Sequence, residues 1–201
     1  MGEALICNLS LSFIKSRLVP KSGIFYCLKM SERNYKSFTP KVSTSAFVAD
    51  TAVIIGDVEI GEDSSVWYGC TIRGDVNDVK IGKCTNIQDG SVIHVSSTSQ
   101  GTYIGDEVTV GHMALLHACT VQDKAFIGMK ACIMDDVLIE KGAMIGAGAL
   151  VTPGKTVPSG QLWAGVPARY IRDLSDEEKE FLDVSARRYV TLSREYINNE
   201  R

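Results

Sequence analysis

The sequence predicts an all-β fold, a parallel β-helix wound from hexapeptide repeats, with one α-helix after it. Three observations carry the prediction. The first is a period of six. Val48, Ile54, Ile60, Val66 and Ile72 lie six apart, and Ile81, Ile87 and Ile93 resume after three extra residues. Ile104, Val110 and Leu116 follow a longer insertion, and Val121, Ile127, Ile133, Ile139, Ile145, Val151 and Val157 follow one step of five. All eighteen positions hold Val, Ile or Leu. The second observation is a small side chain two residues before most of them, as at Ala52, Cys70, Ser91, Ala114, Cys119, Ala131 and Ala149. The third is glycine directly after the aliphatic at 61, 82, 105, 111, 128 and 146.

A period of six matches neither the helical 3.6 nor the strand's 2. It matches short strands joined by tight corners, the signature of a hexapeptide solenoid. The aliphatic points inward, the small residue fills a crowded corner, and the glycine is expected to take a positive φ. Three hexads close one triangular coil, and coils stack at about 4.8 Å like neighbouring strands of any sheet.

The rest of the chain is read around this repeat. Residues 38–172 form the β-helix. Leu162–Arg169 read as its exit loop. Residues 173–201 form a helix, opened by a capping box between Ser175 and Glu178. That helix carries an apolar stripe of Leu182, Ala186, Tyr189, Ser193, Tyr196 and Ile197, to be buried on the β-helix or on a neighbouring subunit. Residues 1–37 lack the period and read as an extension. Residues 1–29 lack a basic start and a clear cleavage site. They read as a floppy extension or as sequence upstream of a start at Met30, with an organellar targeting role left open.

Composition excludes several classes. With 201 residues, 45% apolar and 22% charged, the chain suits one domain with an appendage rather than disorder. No stretch approaches the roughly 20 apolar residues of a membrane span. A net charge of −3 without a basic block argues against nucleic acid as a partner. The six cysteines include no CxxC pair and read as reduced thiols in a cytoplasmic compartment.

The repeat also assigns side chains to faces. Arg73, His94 and His117 each follow an aliphatic of the same face in three successive coils. Two imidazoles one coil apart can reach one zinc at about 2.0–2.1 Å per bond. His112 falls on the next face round, one coil above Asp89, with Gln88 beside it. A cyclic trimer sets one face of a subunit against another face of its neighbour. The three histidines, the only ones in the chain, then converge at the seam, where Arg73 meets Asp89 of the adjoining protomer. A lone histidine beside a buried aliphatic is usually structural, but three placed on interface-capable faces favour metal binding.

These residues resemble the gamma-class carbonic anhydrases. The resemblance runs from about Phe38 to Tyr196. It rests on Arg73-Gly74-Asp75, Asn86-Ile87-Gln88-Asp89, His94, and Gly111-His112 with His117 five residues on. Gly146–Val151 and Ala164–Ala168 are shared with hexapeptide acyltransferases and do not discriminate. The resemblance implies a left-handed coil and a homotrimer. It implies Zn2+, or Fe2+ or Co2+, held by His94 and His117 of one subunit and His112 of the next. It implies reversible hydration of CO2 to bicarbonate, through water made acidic by the metal. Gln88 would orient the hydroxide or CO2 with Asn86 in support. Arg73 and Asp89 would hold the interface, Asp75 would buttress Arg73, and Tyr189 would stand at the active site.

Where the best-characterised active members carry a long acidic loop with a proton-shuttling glutamate, this chain has the short, uncharged Val95–Gly101. Val76 likewise replaces a glutamate. This is the pattern of a short-loop branch. The competing functions are a metal-dependent acyl-thioester hydrolase, a metal-binding scaffold with little or no activity, and, ranked last, an acyl-CoA transferase.

Overall fold

The computed structural model describes residues 31–199. They form a parallel β-solenoid of about seven turns, followed by one helix. Strands Val53–Ile60, Thr71–Ile81, Val92–His94, Leu115–His117, Cys132–Ile133 and Leu150–Val151 build the first face. Phe47–Val48, Ser65–Val66, Asn86–Ile87, Thr109–Val110, Phe126–Ile127 and Met144–Ile145 build the second. Thr102–Ile104, Thr120–Val121, Leu138–Ile139 and Thr156–Val157 build the third, whose lower rungs are the ends of the first two long strands.

All eighteen aliphatics of the repeat are buried, none more than 7% exposed. Their register is the one the period requires. Ile54, Ile72, Ile93, Leu116, Ile133 and Val151 stack as Cα partners along the first face. The core is thus a column of Val, Ile and Leu, and the small residues before them fill the corners.

The glycines act differently from the expectation. None of Gly61, Gly82, Gly105, Gly111, Gly128 and Gly146 has a positive φ. They are glycine because coils touch there: a Cβ on Gly128 would lie 2.5 Å from the Ala147 nitrogen, and one on Gly111 2.7 Å from the Met129 nitrogen. The left-handed corner falls two residues later. There Asp63, Cys84, Glu107, Met113, Lys124, Lys130 and Asp136 adopt it alongside several glycines.

The three extra residues between Ile72 and Ile81 form a bulge, not a separate loop. Gly56 pairs with Gly74 but Val58 pairs with Val79, so the residues from Asp75 onward swell outward opposite Asp57. The exit segment is also not a loop. Trp163 pairs with Ile145 and so continues the second face. Gln161–Gly165 then pairs antiparallel with Ala168–Asp173 across a cis Val166–Pro167 bond. Glu32–Arg33, within the segment read as the extension, pairs in parallel with Ile54 and Ile55. The readings for residues 1–30, including Met30, Cys7 and Cys27, lie outside the described residues.

Helix α1 (Asp176–Asn199) opens with the expected box: Glu178 N donates to Ser175 Oγ at 3.3 Å and Ser175 N to Glu178 Oε2 at 3.0 Å. It lies on the second face of its own solenoid. Tyr196 packs on Phe47 and Trp67, and Tyr189 meets Trp67 edge-on at 5.7 Å. Buried Ser185 shares a hydrogen bond with Thr109, 3.0 Å Oγ to Oγ1. The four described cysteines, 70, 84, 119 and 132, are free thiols. Burial pushes the Cys70 thiol up to about 11.

Candidate metal centre

The first face brings two of the three histidines together. His94 and His117 are Cα partners on adjacent strands, with ring centroids 5.2 Å apart. Each imidazole has a carboxylate behind it. His94 Nε2 donates to Asp75 Oδ1 at 3.0 Å, and His117 Nδ1 to Asp135 Oδ1 at 2.7 Å.

The bulge makes the first of these contacts possible. Gly74 sits so close to the rung below that a Cβ would lie 2.3 Å from the Asp57 carbonyl oxygen, and the outward swing beyond it aims Asp75 up at His94. Arg73 also pairs with Asp75. Burial opposes the charge on Asp75. The hydrogen bonds from His94 and Arg73, with the Arg73 charge, outweigh that cost and hold its carboxyl below the usual carboxylate range.

The second face carries the other candidates. Its strand Asn86–Ile87 pairs with Thr109–Val110, which sets Gln88 and Asp89 one rung below Gly111 and His112. Asn86 is buried and donates from Nδ2 to Thr109 Oγ1 at 3.0 Å. Gln88 donates from Nε2 to Asn86 Oδ1 at 3.0 Å, which fixes the direction of its amide. A chain of hydrogen bonds therefore runs from Gln88 through Asn86 and Thr109 to Ser185 of α1.

His112 sits on the corner that leads from this face to the first, and its Nδ1 lies 2.9 Å from Asp89 Oδ2. Within one chain, Asp89 is thus engaged by His112 rather than by Arg73. Burial raises the Tyr189 phenol pKa, and the Asp89 charge adds to the rise. Among the described residues of one chain, no group of three or more His, Cys, Asp or Glu side chains is arranged to hold a metal ion.

No family model matches the chain. Among curated proteins it is 44% identical over 162 residues to a carbonic anhydrase of Geobacillus kaustophilus, which covers 81% of this chain and 88% of that protein. The chain belongs to the gamma carbonic anhydrase family. It is also 49% identical over 160 residues to the mitochondrial gamma carbonic anhydrase 2 of Arabidopsis thaliana, a match covering 77% of this chain but only 58% of that relative's length. A solved hexapeptide transferase family protein from Anaplasma phagocytophilum superposes with a TM-score of 0.79 at 47% identity, over 82% of this chain and 97% of that one.

The family implies a metal cofactor, and the donors present suit one. After its carboxylate contact each histidine keeps one ring nitrogen without a partner among the described residues: Nδ1 of His94, Nε2 of His117 and Nε2 of His112. Imidazole nitrogens backed by carboxylates are the usual surroundings of zinc, iron or cobalt ligands.

Two contacts of this centre were not foreseen, Asp75 with His94 and Asp135 with His117. Asp135 is two positions past Ile133 while His117 is one past Leu116, so the second contact runs diagonally between coils. The signal was a carboxylate one coil above a histidine. Asp78, three residues past Asp75, is already tied up: Lys80 Nζ and Tyr103 Oη each contact its carboxylate at 3.0 Å. The short Val95–Gly101 segment closes on itself and on the next coil. Ser96 N donates to the Gln100 carbonyl, and Gln100 Nε2 donates to the Ala118 carbonyl at 3.0 Å.

Proposed function

We propose that this protein hydrates CO2 reversibly to bicarbonate at a divalent metal shared between subunits of a homotrimer. The observation that carries the reading is the division of the donors. His94 and His117 stand side by side on the first face, while His112 stands against Asp89 on the corner that follows the second-face strand, the face that carries Gln88 and Asn86. Two protomers set face to face would unite three imidazoles, the ligand number of catalytic zinc sites. Zn2+ is the metal we favour, with Fe2+ or Co2+ as alternatives. Exposed Met113 and Met129 on the corners, with half-exposed Val92 and Leu115 beside the histidines, support burial of this surface by a second copy.

When bound, the metal would lower the pKa of a water into the neutral range and so supply hydroxide. The chain's own residues do the rest. Asp75 fixes the ring orientation of His94. Gln88, its amide direction set by Asn86, offers Oε1 to accept a hydrogen bond from the reacting water and so to aim it at CO2. Tyr189 borders the site from α1. Arg73 reaches Asp89 of the adjoining protomer and closes the seam. Proton export proceeds without an acidic loop, consistent with a short-loop branch.

For the compartment, free thiols favour the cytoplasm. The word mitochondrial in the Arabidopsis relative's name supports an organellar alternative, with residues 1–29 as the address. Among the described residues no helix is long and apolar enough to cross a membrane.

Stopped-flow CO2 hydration on trimer of verified metal content tests the function. A metal-dependent rate that vanishes in His94→Ala is expected. No rate above buffer with metal present would overturn the reading in favour of thioester hydrolysis or a scaffold.

A further inference from the structure

We infer that Asp135 is the positioning residue for His117, and that its loss weakens metal binding without disturbing the fold or the assembly. The inference rests on the proposed metal centre and deepens it.

Four observations meet at this residue. Asp135 Oδ1 lies 2.7 Å from His117 Nδ1, the shortest of the three carboxylate–histidine contacts. A carboxylate accepts only, so the Nδ1 position carries the proton and Nε2 is left with its lone pair for a metal. Second, His117 is the only side-chain partner of Asp135 among the described residues, whereas Asp75 divides itself between Arg73 and His94. Third, Asp135 is held by a rigid corner. It follows the fully buried Ile133 by two residues, its carbonyl accepts from Gly154 N at 2.9 Å, and Asp136 after it takes the left-handed turn. Fourth, the adjacent carboxylate points elsewhere: Asp136 accepts a hydrogen bond from Ser99 in the 95–101 segment. Two neighbouring aspartates thus have separate duties, one toward the histidine and one toward the loop.

Removing a carboxylate behind a metal-bound histidine costs about 10–100-fold in metal affinity. Here the effect has a specific form. Without Asp135 the His117 ring is free to rotate and to exchange tautomers, so binding must first select one of several states. The amide of an Asp135→Asn variant would still accept from His117 Nδ1 through its own carbonyl oxygen. The expected order of affinity is therefore wild type, then Asp135→Asn, then Asp135→Ala.

The test is a Zn2+ and Co2+ titration of metal-stripped full-length protein against a chromophoric chelator of known affinity, with the Co2+ absorption spectrum recorded. Oligomer mass and thermal midpoint are measured alongside. Asp135→Ala should bind about 10–100-fold more weakly, with the oligomer unchanged at saturating metal, Asp135→Asn should recover part of the loss, and Asp136→Asn should bind as wild type. Wild-type affinity in Asp135→Ala, while His117→Ala loses metal, would overturn the positioning role and leave the metal reading standing. A lowered thermal midpoint with unchanged affinity would make Asp135 merely structural. Failure of the wild-type protein to bind either metal would overturn the metal centre itself.

Discussion

Replacing His112 with alanine is expected to strip the metal from the protein while leaving the coil intact. His112 is a half-exposed corner residue, and its one side-chain contact within the described chain is Asp89. Losing that contact costs the fold little, since surface substitutions away from caps and cores usually change stability by under about 0.5 kcal/mol. The metal, however, is left with two imidazoles from one protomer and none from the next. Three protein ligands are the usual minimum for a catalytic site, so affinity should fall by more than the roughly 100-fold ceiling for removing a carboxylate behind a ligand. The proposed trimer should loosen as well, because the metal would bridge its seam. Metal content after gel filtration, compared with the thermal midpoint of the stripped wild type, checks this. Full occupancy in the variant would contradict the assignment of His112 to a neighbour's site.

The second large effect concerns the solenoid. Gly128→Ala is expected to destabilise the protein by about 3 kcal/mol, whereas Gly148→Ala should cost only about 1 kcal/mol. A Cβ at 128 would lie 2.5–2.7 Å from backbone atoms of Ala147, Gly146 and Ile145, and rigid coils cannot part to admit it. Gly148 has a φ of +69° but nothing within 4 Å of the added carbon. It also occupies the corner position that Lys130 and Met113 fill at φ of 59° and 60° one and two coils below. Urea midpoints of the two variants check the order. A larger loss in the positive-φ glycine would contradict it.

That contrast marks where the sequence could be read and where it could not. A six-residue period fixes which side chains point inward, so all eighteen aliphatics and the adjacency of His94 and His117 were legible from the repeat alone. The capping box at Ser175 and Glu178 was legible because it is local. The reason for the glycines was not, since a clash between coils is a contact some 18 residues apart in sequence and a preference for positive φ produces the same letter. The hairpin after Trp163 was hidden for a related reason: the repeat stops there, and nothing local says that the chain turns back on itself. Asp75 reaches His94 only because the three-residue insertion bulges instead of looping away. Asp135 reaches His117 only across a diagonal that the step of five creates. The register of one chain places Arg73, Asp89 and His112 on their faces, and joining them across a seam took the further assumption of a cyclic trimer.

The most direct test of the shared site is a mixture of two inactive proteins. One carries His112→Ala, and the other carries His94→Ala with His117→Ala. Neither homotrimer can assemble three imidazoles at any seam. In a cyclic trimer of mixed composition, one seam in three pairs intact His94 and His117 with an intact His112, whichever subunit is in the majority. Purified mixed trimers are expected to bind one metal and to regain about one third of the wild-type CO2 hydration rate. Mixed trimers that bind no metal and show no rate above buffer would contradict a site divided between protomers.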